Sequence, residues 1–257
     1  GSEYFCDREE ETEKMISALH NERNVTLVAP RRMGKTGLVK HVFAKMEKQD
    51  KDIKCFYLDI YPAKNLDSVS QAAMRRVQEF FSKWRPTLTI DEVTGRPTFS
   101  LDIRPSEGRE TLKQIFEYLG QSGKRCYIAI DEFQQILDFP ESGVEALIRS
   151  YIQFLHDVYF VFSGSQQHMM EEMSLSADRP FFQSSSMMTL SCIDKEKYLD
   201  FANNFFKGQS RAMDEDTFEY IYDVSDKVTW YVQAILHGIY EHSKDVIDRQ
   251  LVDDVVR

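Results

Sequence analysis

The chain has 257 residues, 42% hydrophobic and 29% charged, the make-up of a soluble globular protein with room for one large domain and a small appendage. A formal net charge of −10 without any basic run argues against a surface that gathers nucleic acid, and the absence of a long apolar stretch or signal peptide argues against a membrane span or export. Four scattered cysteines, Cys6, Cys55, Cys126 and Cys192, form no Cys-x-x-Cys pair and are expected as reduced, mostly buried thiols of a cytoplasmic protein.

Gly1-Ser2 reads as a remnant of cloning. Met15, Ile16 and Leu19 recur at helical spacing behind the acidic turn Glu9-Glu10-Glu11, which predicts a helix over 8–22. The apolar run Val25-Thr26-Leu27-Val28 then predicts a strand. Ala29-Pro30-Arg31-Arg32-Met33-Gly34-Lys35-Thr36 follows it and opens the amphipathic stretch Thr36 to Met46. Strand, tight loop ending in Gly-Lys-Thr, helix is the layout of a phosphate-binding loop. Gly34 lets the backbone approach a phosphate, and after Pro30, which has no N–H, the N–H groups from Arg31 to Gly37 surround the helix start, where an anion is favoured. Lys35 is expected to reach the outer phosphates and the Thr36 hydroxyl to ligate Mg²⁺. Ala29 stands where the pattern has its first glycine.

Cys55 to Tyr61 predicts a second buried strand, closed by Pro62, and Leu66 through Trp84 a long helix. Between Thr87 and Arg104 the period becomes alternating around Val93-Thr94-Gly95, which predicts an inserted β-hairpin over 87–104, a surface ornament or a flap near the nucleotide. Leu112, Ile115, Phe116 and Leu119 give a helix that stops near Gly120.

Cys126 to Glu132 is a third strand that ends in two carboxylates, a pairing an apolar core accepts only when the charges face a cation or a water to be activated. Asp131 is expected to hold Mg²⁺ through its water shell and Glu132 to polarise the attacking water. After a helix over Gly143 to Leu155, Tyr159 to Phe162 gives a fourth strand that leads into Ser163-Gly164-Ser165. One of these serines, Ser165 ahead of Ser163, is a candidate sensor of the γ-phosphate or its water, against a plain Ser-Gly turn. Met169, Met170 and Met173 are expected to pack, and Met187 to Leu190 to form the fifth strand. From Asp194 the strands give way to short amphipathic helices, a helical lid over 193–257 appended to a core over 1–192. The last helix pattern reaches Arg257 without a stop signal, so a further domain is expected beyond it.

Phe5-x-x-Arg8-Glu9-Glu10-Glu11, the Pro-Arg-Arg of the phosphate loop, Ile130-Asp131-Glu132-Phe133-Gln134 and Gly164-Ser165 together resemble the archaeal-type ATPase family, in the signal-transduction class of P-loop ATPases related to AAA+ proteins. The resemblance covers nearly the whole chain. It implies a P-loop NTPase fold of three α/β/α layers, with a mainly parallel five-stranded sheet in which the Asp-Glu strand adjoins the phosphate-loop strand. It further implies that Phe5 and Arg8 lie near the adenine of bound ATP or ADP, with a solvated charge at the helix start as the alternative for Arg8. Relatives carry Gly-x-Pro near the lid's third helix where this chain has Lys227-Val228-Thr229-Trp230, and they commonly continue into a winged-helix domain. Arg31, Arg32 and Arg179 are the candidate cations for the γ-phosphate, with plain surface arginines as the alternative.

The function expected is a slow Mg²⁺-dependent ATPase whose ATP and ADP states move the lid, read by a protein partner or a second copy of the chain. Nucleic acid would be met only through a further domain. The alternatives are an interaction module that holds nucleotide without turnover, and a kinase or GTPase with Asp59 as the metal-linked carboxylate.

Overall fold

The computed structural model describes residues 6–83, 108–242 and 246–256, so the hairpin expected at 87–104, Trp84 and Phe5 lie outside the described residues. The first half of the chain runs α1 (Glu9–His20), β1 (Asn24–Val28), α2 (Lys35–Gln49), β2 (Lys54–Asp59), α3 (Leu66–Lys83) and α4 (Gly108–Gln121). Then come β3 (Cys126–Asp131), a 3-10 turn (Phe133–Asp138), α5 (Val144–Ile152), β4 (Val158–Gly164), α6 (Gln167–Leu175) and β5 (Ser185–Thr189). The helices α7 (Lys195–Phe206), α8 (Glu215–Val224), α9 (Thr229–Glu241) and α10 (Arg249–Val256) complete it.

All five strands are parallel, in the order β2-β3-β4-β1-β5. This corrects the expected neighbourhood of the Asp-Glu strand: β3 lies between β2 and β4, and β4 separates it from the phosphate-loop strand. Burial explains the order. β1, β3 and β4 are almost wholly buried and take the centre, whereas β2 and β5 are half-buried and take the edges. Asn24 secures the β1 side, accepting a hydrogen bond from the Phe160 N–H at 2.8 Å through Oδ1.

Successive side chains of the central strands point to opposite faces. Ile128, Ile130, Phe160 and Phe162 pack with α3, α4, α5 and α6, and Val25, Leu27, Tyr127, Ala129 and Val161 pack with α1 and α2. The result is the three-layer α/β/α arrangement, with Met170 and Met173 in the core as expected. Phe133, at the start of the 3-10 turn, lies 4.5 Å from Phe162 and 5.2 Å from Phe181 between ring centroids, which fixes the backbone just after Glu132. A third apolar cluster, built on Tyr198, Phe206, Phe218, Ile221, Val232 and Leu251, holds α7 to α10 together and takes in Cys6 from the N-terminal side. The four cysteines are free thiols; Cys6 and Cys126 are buried, Cys55 partly so, and Cys192 is exposed. Among the described residues no helix is long and apolar enough to cross a membrane.

Gly164 closes β4 in a crowded place. A Cβ there would press on Gln134 Oε1 and come within 2.5 Å of Met170 Cγ and 2.6 Å of its Sδ. Gly164→Ala is therefore expected to lower stability by about 1–3 kcal/mol through overpacking. The measurement is the urea midpoint at unchanged m-value; an unshifted midpoint would show that Gln134 and Met170 yield freely.

Candidate functional site

The segment 29–34 leaves the end of β1 and turns into α2. Ala29 is buried, and its N–H donates to the Gly164 carbonyl at 3.3 Å, so it continues the extended β1 ladder. It is not among the residues with positive φ, so the glycine missing at this position is not needed for the turn. The left-handed positions are Arg32, at φ 68°, and Gly34, at φ 93°. Gly34 precedes the first turn of α2, and its carbonyl accepts from the Leu38 N–H at 2.9 Å. Lys35 is buried and arches over its own loop, donating through Nζ to the carbonyls of Ala29 at 2.9 Å and Pro30 at 3.3 Å. Burial pushes its ammonium below the ordinary lysine value, while the carboxylates of Glu132 and Asp131 pull the other way.

The carboxylate of Asp131 is buried and gathers donors on both oxygens. Oδ2 accepts from the Thr36 hydroxyl at 3.0 Å and from the Tyr57 hydroxyl. Oδ1 accepts from the Ser163 hydroxyl and, at 3.1 Å, from the Glu132 N–H. Glu132 adopts φ 56°, a left-handed conformation unfavourable for a side chain of this kind, which breaks the strand and swings the second carboxylate aside. Its Oε2 accepts from Gln134 Nε2 and from the Ser165 hydroxyl, both at 2.6 Å. Of the two serines, Ser163 thus serves the first carboxylate and Ser165 the second. β4 brings both, because its end lies between the phosphate loop and the acid pair.

A cleft of about 900 Å³ opens over this constellation, lined by Arg31, Arg32, Met33, Gly34, Lys35, Thr36 and Gly37 and by Asp59, Tyr61, Asp131 and Glu132. Cys6, Arg8, Ile193 and the lid residues Val228, Thr229, Trp230, Tyr231 and Gln233 complete its walls. Arg8 and Ile193 adjoin the chain leaving β5, three strand spacings, or about 14 Å, from the acid pair on β3. An extended ligand with phosphates at one end fits that span. Arg8 is buried rather than solvated, donating to Glu11 Oε1 at 2.8 Å and to the Ser191 carbonyl at 2.7 Å.

The C-terminal helices expected to form a lid reach the cleft without the glycine and proline. Asp226 and Lys227 take φ 50° and 60°, the conformation a glycine would adopt freely, and so turn the chain into α9. There the Trp230 N–H donates to the Arg32 carbonyl at 3.1 Å, and the Arg32 guanidinium lies 4.7 Å from the Trp230 ring centre and 5.0 Å from that of Tyr231. Arg31 lies 4.9 Å from the ring centre of Tyr61.

Arg179 is not brought to the cleft. It sits in the turn between α6 and β5, where Nη2 pairs with the buried Glu145 at 2.9 Å and Nη1 approaches Glu172 at 3.8 Å. Burial raises the Glu145 carboxyl above its ordinary range, and the Arg179 charge is what opposes that shift. The site also holds residues that sequence reasoning missed: Tyr57, Tyr61, Gln134, Trp230 and Tyr231. In the sequence Gln134 stands out only as the last residue of the stretch Ile130-Asp131-Glu132-Phe133-Gln134. Tyr57 shares a strand face with Asp59, and only the β2–β3 register reveals that it meets Asp131.

A profile of ATPase domains predominantly from Archaea matches residues 5–235. An uncharacterized ATP-binding protein of Methanocaldococcus jannaschii is 23% identical, over 97% of this chain and 74% of that protein. The Walker-type ATPase of Pyrococcus abyssi superposes with a TM-score of 0.72 at 17% identity, over 98% of this chain and 71% of that one. The Aeropyrum pernix ORC2 protein, solved as ADPNP–ADP complexes, gives a TM-score of 0.70 at 16% identity, over 98% and 69% respectively. At these identities the two structures speak for the fold alone, but the profile covers most of the chain and names its kind: the chain belongs to the family of ATPase domains found predominantly in Archaea.

Proposed function

We propose that the chain binds ATP in the cleft together with Mg²⁺, hydrolyses it, and acts as a switch whose nucleotide state bears on the lid formed by α7 to α10. The observation that carries this reading is the 3.0 Å hydrogen bond between Thr36 Oγ1 and Asp131 Oδ2, which joins the start of the phosphate-loop helix to the end of β3. Two hard oxygen groups facing each other suit a small divalent cation that keeps most of its waters. Thr36 and Asp131 would hold it, and bound there it would offset charge on the outer phosphates. Lys35 is the cation available to the same phosphates once it leaves the loop carbonyls. Glu132, the neighbouring carboxylate, is the group that would polarise water. The lid enters through Arg32, which belongs to the phosphate loop yet contacts α9 through both its carbonyl and its guanidinium. The output of such a switch would be read by a protein partner or a second copy of the chain.

The clasp on Glu132 sets the expected speed. With Oε2 engaged by Ser165 and Gln134, Oε1 is the oxygen left to accept from water, and the two donors on Oε2 take up part of the negative charge that would polarise that water, which supports slow turnover. The same clasp favours the second reading, a module that retains nucleotide with little turnover. Phosphate release over many turnovers, measured beside ADP retention after purification, separates the two. In the first reading Glu132→Gln lowers kcat by about 10²-fold or more with nucleotide affinity kept, as expected for loss of a general base. Equal rates in both proteins would remove Glu132 from the chemistry. For the lid, Arg32→Ala is expected to speed amide exchange in the first turn of α9 about tenfold, since a cation–π contact contributes roughly 0.5–2 kcal/mol. Exchange in β3 should stay unchanged; unaltered protection of α9 would show that the Arg32 guanidinium does not hold the helix to the loop.

A further inference from the structure

Tyr57 stands on an edge strand, yet its hydroxyl reaches the centre of the site. It donates to Asp131 Oδ2 and lies 3.2 Å from Thr36 Oγ1, so it touches both members of the pair joined by the 3.0 Å bond. The ring is held from above: Lys40, one turn beyond Thr36 on α2, places its ammonium 4.8 Å from the ring centre. The body of the side chain packs against the α1–α2 core, a task phenylalanine would perform equally. The hydroxyl is what phenylalanine would lack, and both of its contacts are polar groups of the site, Asp131 and Thr36.

The role of that hydroxyl follows from how Asp131 is tethered. Ser163 and the Glu132 N–H fix Oδ1 on the side away from Thr36. Oδ2 is the oxygen that faces Thr36, and if Thr36 turns its hydroxyl to a ligand, Tyr57 is the remaining donor on that oxygen among the described residues. With Oδ1 held on the far side, the Tyr57 hydroxyl completes the set of donors that fixes the tilt of the carboxylate plane. We propose that Tyr57 is a positioning residue for the divalent cation: its hydroxyl holds Asp131 Oδ2 aligned with Thr36 so that the cation meets a carboxylate already set. This rests on the reading of Thr36 and Asp131 as the Mg²⁺ site. Partners that orient a ligand in this way typically contribute 10–100-fold to metal affinity.

The test uses the whole chain carrying Tyr57→Phe, Asp131→Asn or both. A fluorescent ADP analogue is titrated at graded Mg²⁺ and again in EDTA, with the melting temperature in EDTA as a check on folding. The proposal expects Tyr57→Phe to raise the Mg²⁺ concentration needed for half-maximal effect about 10–100-fold. Affinity in EDTA should stay at the wild-type value, and the melting temperature in EDTA should fall only by what one hydrogen bond to a carboxylate contributes. In the double variant, Tyr57→Phe should add nothing to Asp131→Asn, because it acts through that carboxylate. A wild-type Mg²⁺ response in Tyr57→Phe, with the response lost in Asp131→Asn, overturns the role of Tyr57 and leaves the metal site standing. A wild-type response in Asp131→Asn overturns the metal-site reading itself. Equal weakening of binding with and without Mg²⁺ in Tyr57→Phe would reduce the residue to packing.

Discussion

A single buried carboxylate organises this molecule. Asp131 cannot lie within the sheet as an anion unless donors surround it, and those donors come from separate parts of the chain: Thr36 on α2, Tyr57 on β2, Ser163 on β4 and the backbone of Glu132. Each link fixes a spatial relation that the apolar layers alone leave loose. The β2–β3 and β3–β4 registers set Asp131 opposite Asp59 and Ser163, and the bond to Thr36 sets how far α2 advances over the sheet. The phosphate loop is consequently positioned by its partner carboxylate as well as by β1.

Among the described residues nine non-glycine residues have positive φ, and four of them turn the chain in the cleft wall or just before it. These four are Arg32, Glu132, Asp226 and Lys227. Packing of Phe133 between Phe162 and Phe181 keeps Glu132 in that state, and the contacts of Arg32 with α9 do the same for the loop. Helix α9 and the loop therefore share a constraint. A change in the loop's conformation alters the carbonyl and the guanidinium to which Trp230 is attached.

Much of this was legible in the sequence because it depends on local chemistry. Apolar runs ending in Gly-Lys-Thr or Asp-Glu identify strands, their order along the chain and the residues at their ends. Strand order across the sheet was not legible, since pairing follows from relative burial of whole strands, and the runs containing Val25, Tyr127 and Tyr159 look alike in isolation. Tyr57 escaped notice for the same reason: a tyrosine in a strand is an ordinary core residue until the register sets its hydroxyl against a carboxylate. Arg179 failed in the opposite direction. Its place after β4 made it a plausible phosphate contact, but Glu145, thirty-four positions earlier in sequence, claims it. The lid's divergence from Gly-x-Pro concealed that Asp226 and Lys227 adopt the turn regardless.

Trp230 is 51% exposed at the cleft mouth with a guanidinium against its ring, in a chain that has only two tryptophans. An indole so situated is an intrinsic optical probe. Separation from Arg32 and Tyr231 would change both its solvent contact and its nearest charge, shifting emission wavelength and quenching together. The packing of α9 against the loop 29–34 is thus written into the protein's own fluorescence and can be followed without a label.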